Sequence, residues 1–364
     1  MMIETTARRL CLGGGALLAA AGAAIAARPQ VPAEAFDLAY WNLTLPADAD
    51  RDGKPDTVSV RKLRRFSHPD FFHLDADGHL VFAAPNKAAT TRNSTNTRSE
   101  LREMLRGTKT RIRTHGGGNN WAVAARNGAD GYARIGGRLD ATLRVDHVSR
   151  NAGRPEAKPA YSAVVGQIHA VGYDDTSSGF GYGNEPIKIY YKKWPEHETG
   201  SVFWTYERNL AKDDPARRDL AYPVFGHSWE SPDDPGAAGI ALGEPFSYTI
   251  NVYRNTMYLT FESERLGTVR YAKSLIDNVD PLGEVDEADN RFGYGGDSLY
   301  FKAGIYNQCS ASTADGFWYP ACPGTGDWAT DRADGNYAQA TFVRLTHGEA
   351  TPPAAAPAPR DGDG

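Results

Sequence analysis

The constraint that rules most of this chain is period-two alternation, and it is clearest in LYFKAGIYNQ, Leu299 to Gln308. Read as a strand, this stretch sends Leu299, Phe301, Ala303 and Ile305 to one face and Tyr300, Lys302, Gly304 and Tyr306 to the other. The first face is apolar and can seal a core. The second carries a cation and two phenols, where a solvated strand would carry Thr, Ser and Glu. Two other stretches share the habit. TRSELRE places Arg98, Glu100 and Arg102 together, and GQIHA places Gln167 and His169 on one face with Ile168 behind them. A chain that writes polar and apolar residues alternately cannot bury both faces of a helix, so it must build sheets.

The rest of the sequence agrees. Strands are expected at 39–46, 79–84, 97–104, 111–114, 121–126, 134–148, 160–169, 186–192, 201–207, 246–254, 256–262, 269–273, 298–308 and 337–347. Residues 60–66 suit a helical turn or two, and no long amphipathic pattern and no internal repeat occurs. Thirty-eight glycines and 22 prolines supply turns between the strands. Many strands with turn signals between them read as an all-β sandwich or barrel. Two long polar stretches, 209–241 and 277–297, break the rhythm; loops of that length wall clefts or move.

Arg8 and Arg9 precede an apolar run to Ala27 that contains the small-x-small pattern Ala24-Ile25-Ala26. Residues 1–27 therefore read as an export signal, and the paired arginines resemble a twin-arginine type. A secreted or periplasmic location follows. No other run is long enough to span a membrane. Residues 28–348 form one domain, and 349–364 read as a disordered Pro/Ala-rich tail. In an oxidising compartment Cys309 and Cys322 pair in a disulfide, since Cys11 leaves with the signal. The net charge of -5 gives no reason to expect nucleic acid or an anionic membrane as partner, although cations gathered in one groove can still bind a polyanion. Asp48, Asp50 and Asp52 alternate before Gly53 like a calcium loop, but an EF-hand pattern would then require Glu at position 59, which is Ser. A structural calcium is the one metal this sequence suggests.

TRSELRE, GQIHA and YFKAGIYNQ, in that order, together with YWNLTLP near the start of the domain, resemble the signature segments of the alginate lyases of polysaccharide lyase family 7. The resemblance spans residues 37–347. It implies a concanavalin A-like β-jelly roll, with substrate across the concave one of two antiparallel sheets. It also implies cleavage of alginate, a polymer of mannuronate and guluronate, by β-elimination with no required cofactor; a monomer is the default expectation. The chemistry demands a particular set of groups. The C5 proton of a uronate is weakly acidic because its neighbouring carboxylate is already an anion. Arg98 can neutralise that carboxylate with a forked contact, and Gln167 can donate an amide hydrogen to the developing dianion. His169 is a base of suitable strength, and Tyr306 is the acid for the departing C4 oxygen. Carried over residue by residue, the family's catalytic set falls on Arg98, Gln167, His169 and Tyr306, with Tyr306 serving both proton steps on mannuronate and His169 the base on guluronate. Glu100, Arg102, Lys188, Tyr190, Lys192 and Lys302 would line the groove, and Tyr300 would pack or stack on the sugar. Gln-Ile-His, with Ile168 in the middle, accompanies action on guluronate-containing blocks.

Three rival readings use the same sandwich. A carbohydrate-binding module would not need His and Tyr beside an Arg–Gln pair. A glycoside hydrolase would want two carboxylates facing each other, and only Glu100 is offered. A lyase for another polyuronate such as glucuronan is the hardest to separate, because the quartet reads a carboxylate and a C5 proton.

Overall fold

A computed structural model describes residues 30–316 and 318–353. The expected export signal and residues 354–364 of the expected tail lie outside that range. Among the described residues, two sheets of ten and seven strands are stacked face to face. The larger runs, edge to edge, Asp219–Phe225, Ser201–Glu207, Ile187–Lys192, Ser162–Ala170, Leu299–Ser310, Asn96–Glu103, Trp41–Thr44 and Thr57–Val58, with Trp121–Ala122 and Arg134–Ile135 joined at one corner. The smaller runs Gly267–Ser274, Thr256–Ser263, Phe246–Tyr253, Gly137–His147, Tyr337–Gly348, Leu80–Pro85 and Phe72–Leu74. All pairings are antiparallel except the short corner pair. The arrangement is a β-jelly roll.

Alternation sets the layers. Gly137–His147 alternates buried and half-buried without a break. Its inward residues Leu139, Leu143 and Val145 meet Leu101, Ile168, Ile189, Trp204, Phe301 and Ile305 from the larger sheet. Each fully buried large apolar side chain contributes about 1.5–3 kcal/mol relative to exposure, so this one shared layer is what holds the sheets together. The polar residues between them are thereby committed to the outer face.

Two irregularities shift that outer face into register. Beside Ile187–Lys192, Val164 pairs with Tyr190 and Gly166 with Ile189, leaving Val165 as an extra residue in Ser162–Ala170; beside Leu299–Ser310 the same two residues pair with Tyr306 and Ala303, so Gly304 and Ile305 both stand opposite Val165. Val165 lies in the core, and a Cβ on Gly166 would stand 2.4 Å from the Tyr248 hydroxyl, also in the core. The bulge thus turns two successive residues inward and lets both Val164 and Gln167 face out. Opposite it, Gly304 has φ +142°, and a Cβ there would lie 2.5 Å from the Ser99 carbonyl oxygen and 2.9 Å from Glu100 Cα. Only glycine allows the Leu299–Ser310 and Asn96–Glu103 backbones to approach so closely.

Some expectations change. Residues 111–114 are turns, not a strand. The expected 134–148 strand breaks at Gly136, whose φ is +67° and whose Cβ position lies 2.0 Å from the Val252 carbonyl oxygen. The 209–241 stretch contains the edge strand Asp219–Phe225, hidden in the sequence by Pro223, which an edge tolerates. The 277–297 stretch is pinned to the body: Asp286 takes a forked bond from Arg208 (2.8 and 2.8 Å), and Asp289 accepts from the Tyr206 hydroxyl at 2.7 Å. Thr351, expected in the tail, exchanges two hydrogen bonds with Asn251. The Cys309–Cys322 disulfide is formed. Among the described residues no helix is long and apolar enough to cross a membrane.

Candidate active site

The outer face of the three central strands gathers around one carboxylate. Glu100 is 2% exposed. It accepts from Arg98 Nη1 at 3.2 Å, and it also takes Lys302 Nζ and the Gln167 side-chain amide. Sheet register makes this meeting inevitable: Lys302 stands directly between Arg102 and Gln167, and Tyr306 between Arg98 and Val164. Burial works to raise the Glu100 carboxyl, but Lys302 and Arg98 overcome it and hold it below the usual range. Burial also pushes the Lys302 ammonium down to about 8, with Glu100 pulling it back. Glu100 is therefore an anchor beneath the face that fixes three polar side chains, and the expectation that it contacts substrate directly is corrected.

Arg98 lies over the Tyr306 ring, 3.8 Å from its centroid, and its buried Nε has no partner among the described residues. The Tyr306 hydroxyl is 3.1 Å from Ser94 Oγ. His169 stacks on Tyr300 at 5.3 Å and 10°. Its Nδ1 is 2.6 Å from the Ala170 carbonyl oxygen, which only accepts, so that nitrogen carries a proton. Its Nε2 is 3.1 Å from Glu185 Oε1. Burial pushes the imidazole down to about 4, against the pull of Glu185. Burial raises the Glu185 carboxyl, but Lys188 and His169 overcome it and hold it well below the usual range. Burial, with the Glu185 carboxylate beside it, holds Glu207 well above its usual range against the pull of Lys188. Arg102 lies over the Tyr300 ring at 4.0 Å.

The three cationic or phenolic positions on Ile187–Lys192 depart from expectation. Lys188 is 5% exposed and spends its charge on Asp219 (3.0 Å) and Glu185 (3.3 Å). Tyr190 is fully buried between Phe203 and Trp229. Lys192 donates to the Lys158 and Ala160 carbonyls at 2.8 and 2.6 Å, and burial pushes it down to about 7. Alternation did place Lys188 and Tyr190 on the outer face, but loops cover that part of it. Of the other cations expected at the groove, Arg102 is half-buried, and Lys302 and Arg98 are 8% and 9% exposed. At the expected calcium loop, Asp52 turns to Lys54 Nζ at 2.8 Å, while Asp48, Asp50 and Asp56 bring carboxylate oxygens within 4.8 Å of one another at the surface. Sequence reasoning missed Ser94 and Glu185. Of these only Ser94, two residues before the Asn96–Glu103 strand, lies close to a motif.

A carboxylate-binding arginine and amide, an imidazole and a phenol on one face can neutralise a uronate and move a proton. The comparisons with known proteins agree. The family model described as alginate lyase matches residues 36–349. An alginate lyase of Klebsiella pneumoniae is 34% identical over 336 residues, 89% of this chain and 94% of the relative. The crystal structure of the alginate lyase from Klebsiella pneumoniae superposes with a TM-score of 0.68 at 32% identity, covering 88% of this chain and 99% of the other. The exolytic family 7 alginate lyase AlyA5 from Zobellia galactanivorans superposes with a TM-score of 0.70 at 32% identity, covering 89% and 100%. The chain belongs to the alginate lyases of polysaccharide lyase family 7.

Proposed function

We propose that this alginate lyase works by β-elimination at the face centred on Glu100. Arg98 and Gln167 neutralise the carboxylate of the sugar that loses its C5 proton. Lys302 adds positive charge beside them. Tyr306, held by Ser94 and lying under Arg98, protonates the departing C4 oxygen. On mannuronate, where proton and leaving group share a side, Tyr306 also takes the proton; on guluronate His169 takes it from the opposite face. The Gln167-Ile168-His169 segment supports a preference for guluronate-containing blocks. Ile168 is fully buried, so its influence passes through the strand. The mechanism needs no cofactor, and a calcium ion at Asp48, Asp50 and Asp56 would be structural. The expected export signal places the work in the periplasm or outside the cell.

The observation that carries this reading is the single buried carboxylate that fixes Arg98, Gln167 and Lys302 together, with the Tyr306 ring 3.8 Å from the Arg98 guanidinium. The test is a continuous ultraviolet assay on separate polyguluronate, polymannuronate and alternating blocks, with glucuronan and polygalacturonate beside them. Absorbance should rise fastest on guluronate-containing blocks, and His169→Ala and Tyr306→Phe should each lower turnover by about 10²–10⁴-fold. A faster rise on glucuronan would transfer the mechanism to another substrate. Near-normal turnover in both variants would refute the roles.

A further inference from the structure

Beyond Tyr300, at the start of the strand that carries Tyr306, the outer face runs on towards a cavity of about 640 Å³. Ser298, the residue before that strand, extends its ladder, since its carbonyl oxygen accepts from the Val171 N–H at 2.8 Å. Leu299 and Phe301 lie in the core, so Ser298 follows Tyr300 on the outer face, about 7 Å along the strand. The Tyr173 and Tyr132 hydroxyls both meet Ser298 Oγ, at 2.7 and 2.8 Å. The Arg126 guanidinium lies over the Tyr132 ring, 5.0 Å from its centroid. Tyr173 and Arg126 line the cavity with Phe180, Phe292 and Asp175. One serine thus joins the cavity to Tyr300, which stacks on His169.

The cavity walls are fastened in place. The Tyr173 N–H donates to the Gly181 carbonyl oxygen at 2.8 Å and closes its loop. That loop is tied to the neighbouring one by Asn290 Nδ2, which donates to the Gly179 carbonyl oxygen at 3.1 Å, and by the Gly181 N–H, which donates to Asp297 at 2.8 Å. A Cβ on Gly296 would collide with the Phe180 ring. A ligand entering a preformed site of this kind has little ordering to offset, and the volume is that of a small-molecule site, about 300–1,000 Å³.

The lining is unusual for a surface. Among the described residues three Phe, Tyr or Trp side chains are exposed, Tyr40, Tyr173 and Phe292. Two of them, Tyr173 at 37% and Phe292 at 52%, line this one cavity. Arg126 forms no ion pair and no side-chain hydrogen bond among the described residues, and its buried Nε has no partner. An unpaired guanidinium suits a carboxylate, and exposed rings suit the C–H face of a sugar. Arg291, 4.6 Å over the Phe292 ring, adds a second cation. Asp175 can accept from sugar hydroxyls but would repel a bare anion such as phosphate. The set therefore fits a ring that carries a carboxylate and hydroxyls together, which is a uronate.

We propose that this cavity binds a uronate of the alginate chain outside the sugars that react, with Arg126 on its carboxylate and Tyr173 and Phe292 against its ring. It anchors long chains and adds nothing for chains too short to reach it. This inference rests on the lyase reading above.

The experiment measures kcat/KM by ultraviolet absorbance on long guluronate-containing chains and on their trisaccharides, with the full chain and with Arg126→Ala and Phe292→Ala. The ratio of long-chain to trisaccharide kcat/KM should fall roughly tenfold in Arg126→Ala, as for a lost hydrogen bond to a charged group, and several-fold in Phe292→Ala, with the fall carried by KM on the long chains. A wild-type ratio in folded Arg126→Ala overturns the site, whether its kcat/KM values stay normal or fall together on both substrates. Phe292 is more than half exposed, so Phe292→Ala decides the matter by the same ratio if Arg126→Ala misfolds. These outcomes leave the lyase reading intact. Wild-type enzyme that raises no absorbance on any polyuronate overturns that reading and the inference with it.

Discussion

Replacing Glu100 should damage the protein twice, and the size of the damage can be worked from its contacts. The carboxylate is 2% exposed and faces two cations and an amide. At 3.2 Å and an effective dielectric of 20, the Arg98 pair alone carries about 5 kcal/mol of Coulomb energy. Most of that offsets the cost of taking both charges out of water. Removing one partner forfeits the attraction and leaves the cost, which for buried pairs amounts to about 3–5 kcal/mol. Glu100→Ala strands two cations and should lose roughly that much in urea unfolding. Glu100→Gln preserves shape and part of the hydrogen bonding, so its loss should be smaller, with most of the catalytic defect retained because Arg98, Gln167 and Lys302 lose their common acceptor. Urea midpoints with unchanged slope, measured beside turnover on alginate, separate the two effects. If Glu100→Ala keeps wild-type stability and turnover, the carboxylate is not the anchor and the argument for the site's geometry fails.

Three further outcomes follow from the same geometry. Glu185→Gln removes the charge facing His169 Nε2 at 3.1 Å; turnover on guluronate blocks should fall on the order of 100-fold, the lower end of what a positioned proton-transfer group contributes, with a smaller loss on mannuronate blocks, and equal losses on both would contradict the division of roles. The pH–rate profile should fall on the acid side as His169 gains a proton near its value of about 4, and on the alkaline side as Lys302 loses one near about 8; because the folded His169 value lies below the unfolded one of about 6.5, its share of stability is complete above that value and is lost as pH drops towards 4. Gly304→Ala forces a Cβ to within 2.5 Å of the Ser99 carbonyl oxygen at a φ of +142°, and should cost at least about 1–3 kcal/mol in urea unfolding, whereas the same change at half-buried Gly78 meets nothing within 4 Å and costs only the strain of its positive φ.

How much of this was legible in the sequence depends on distance along the chain. Period-two alternation gave the outer set Tyr300, Lys302, Tyr306, Arg98, Glu100, Gln167 and His169, because a strand's faces are determined by neighbours two residues away. It also sent Lys188 and Tyr190 outward correctly, yet it could not see that Trp229 would cover Tyr190, since that residue arrives on a loop from another part of the chain. Lys192 was misread for the same reason: two carbonyls of the 158–160 turn capture its ammonium. Glu185 precedes Pro186 in a Gly-rich turn and carries no pattern of its own; it becomes the partner of His169 only when two strands align. The bulge at Val165 and Gly166 was invisible in the alternation because both residues are small and apolar. The Asp219–Phe225 strand was lost to Pro223, a residue that argues against a central strand and says little about an edge.

The measurement that bears most directly on the central claim is the mass balance of cleavage on a saturated alginate oligosaccharide of known length. Elimination splits the chain without water, so the account predicts that the two fragments sum to the mass of the substrate and that one of them carries a double bond between C4 and C5. Two saturated fragments that together exceed the substrate by one water would mean hydrolysis, and would contradict the assignment of Arg98, Gln167, His169 and Tyr306.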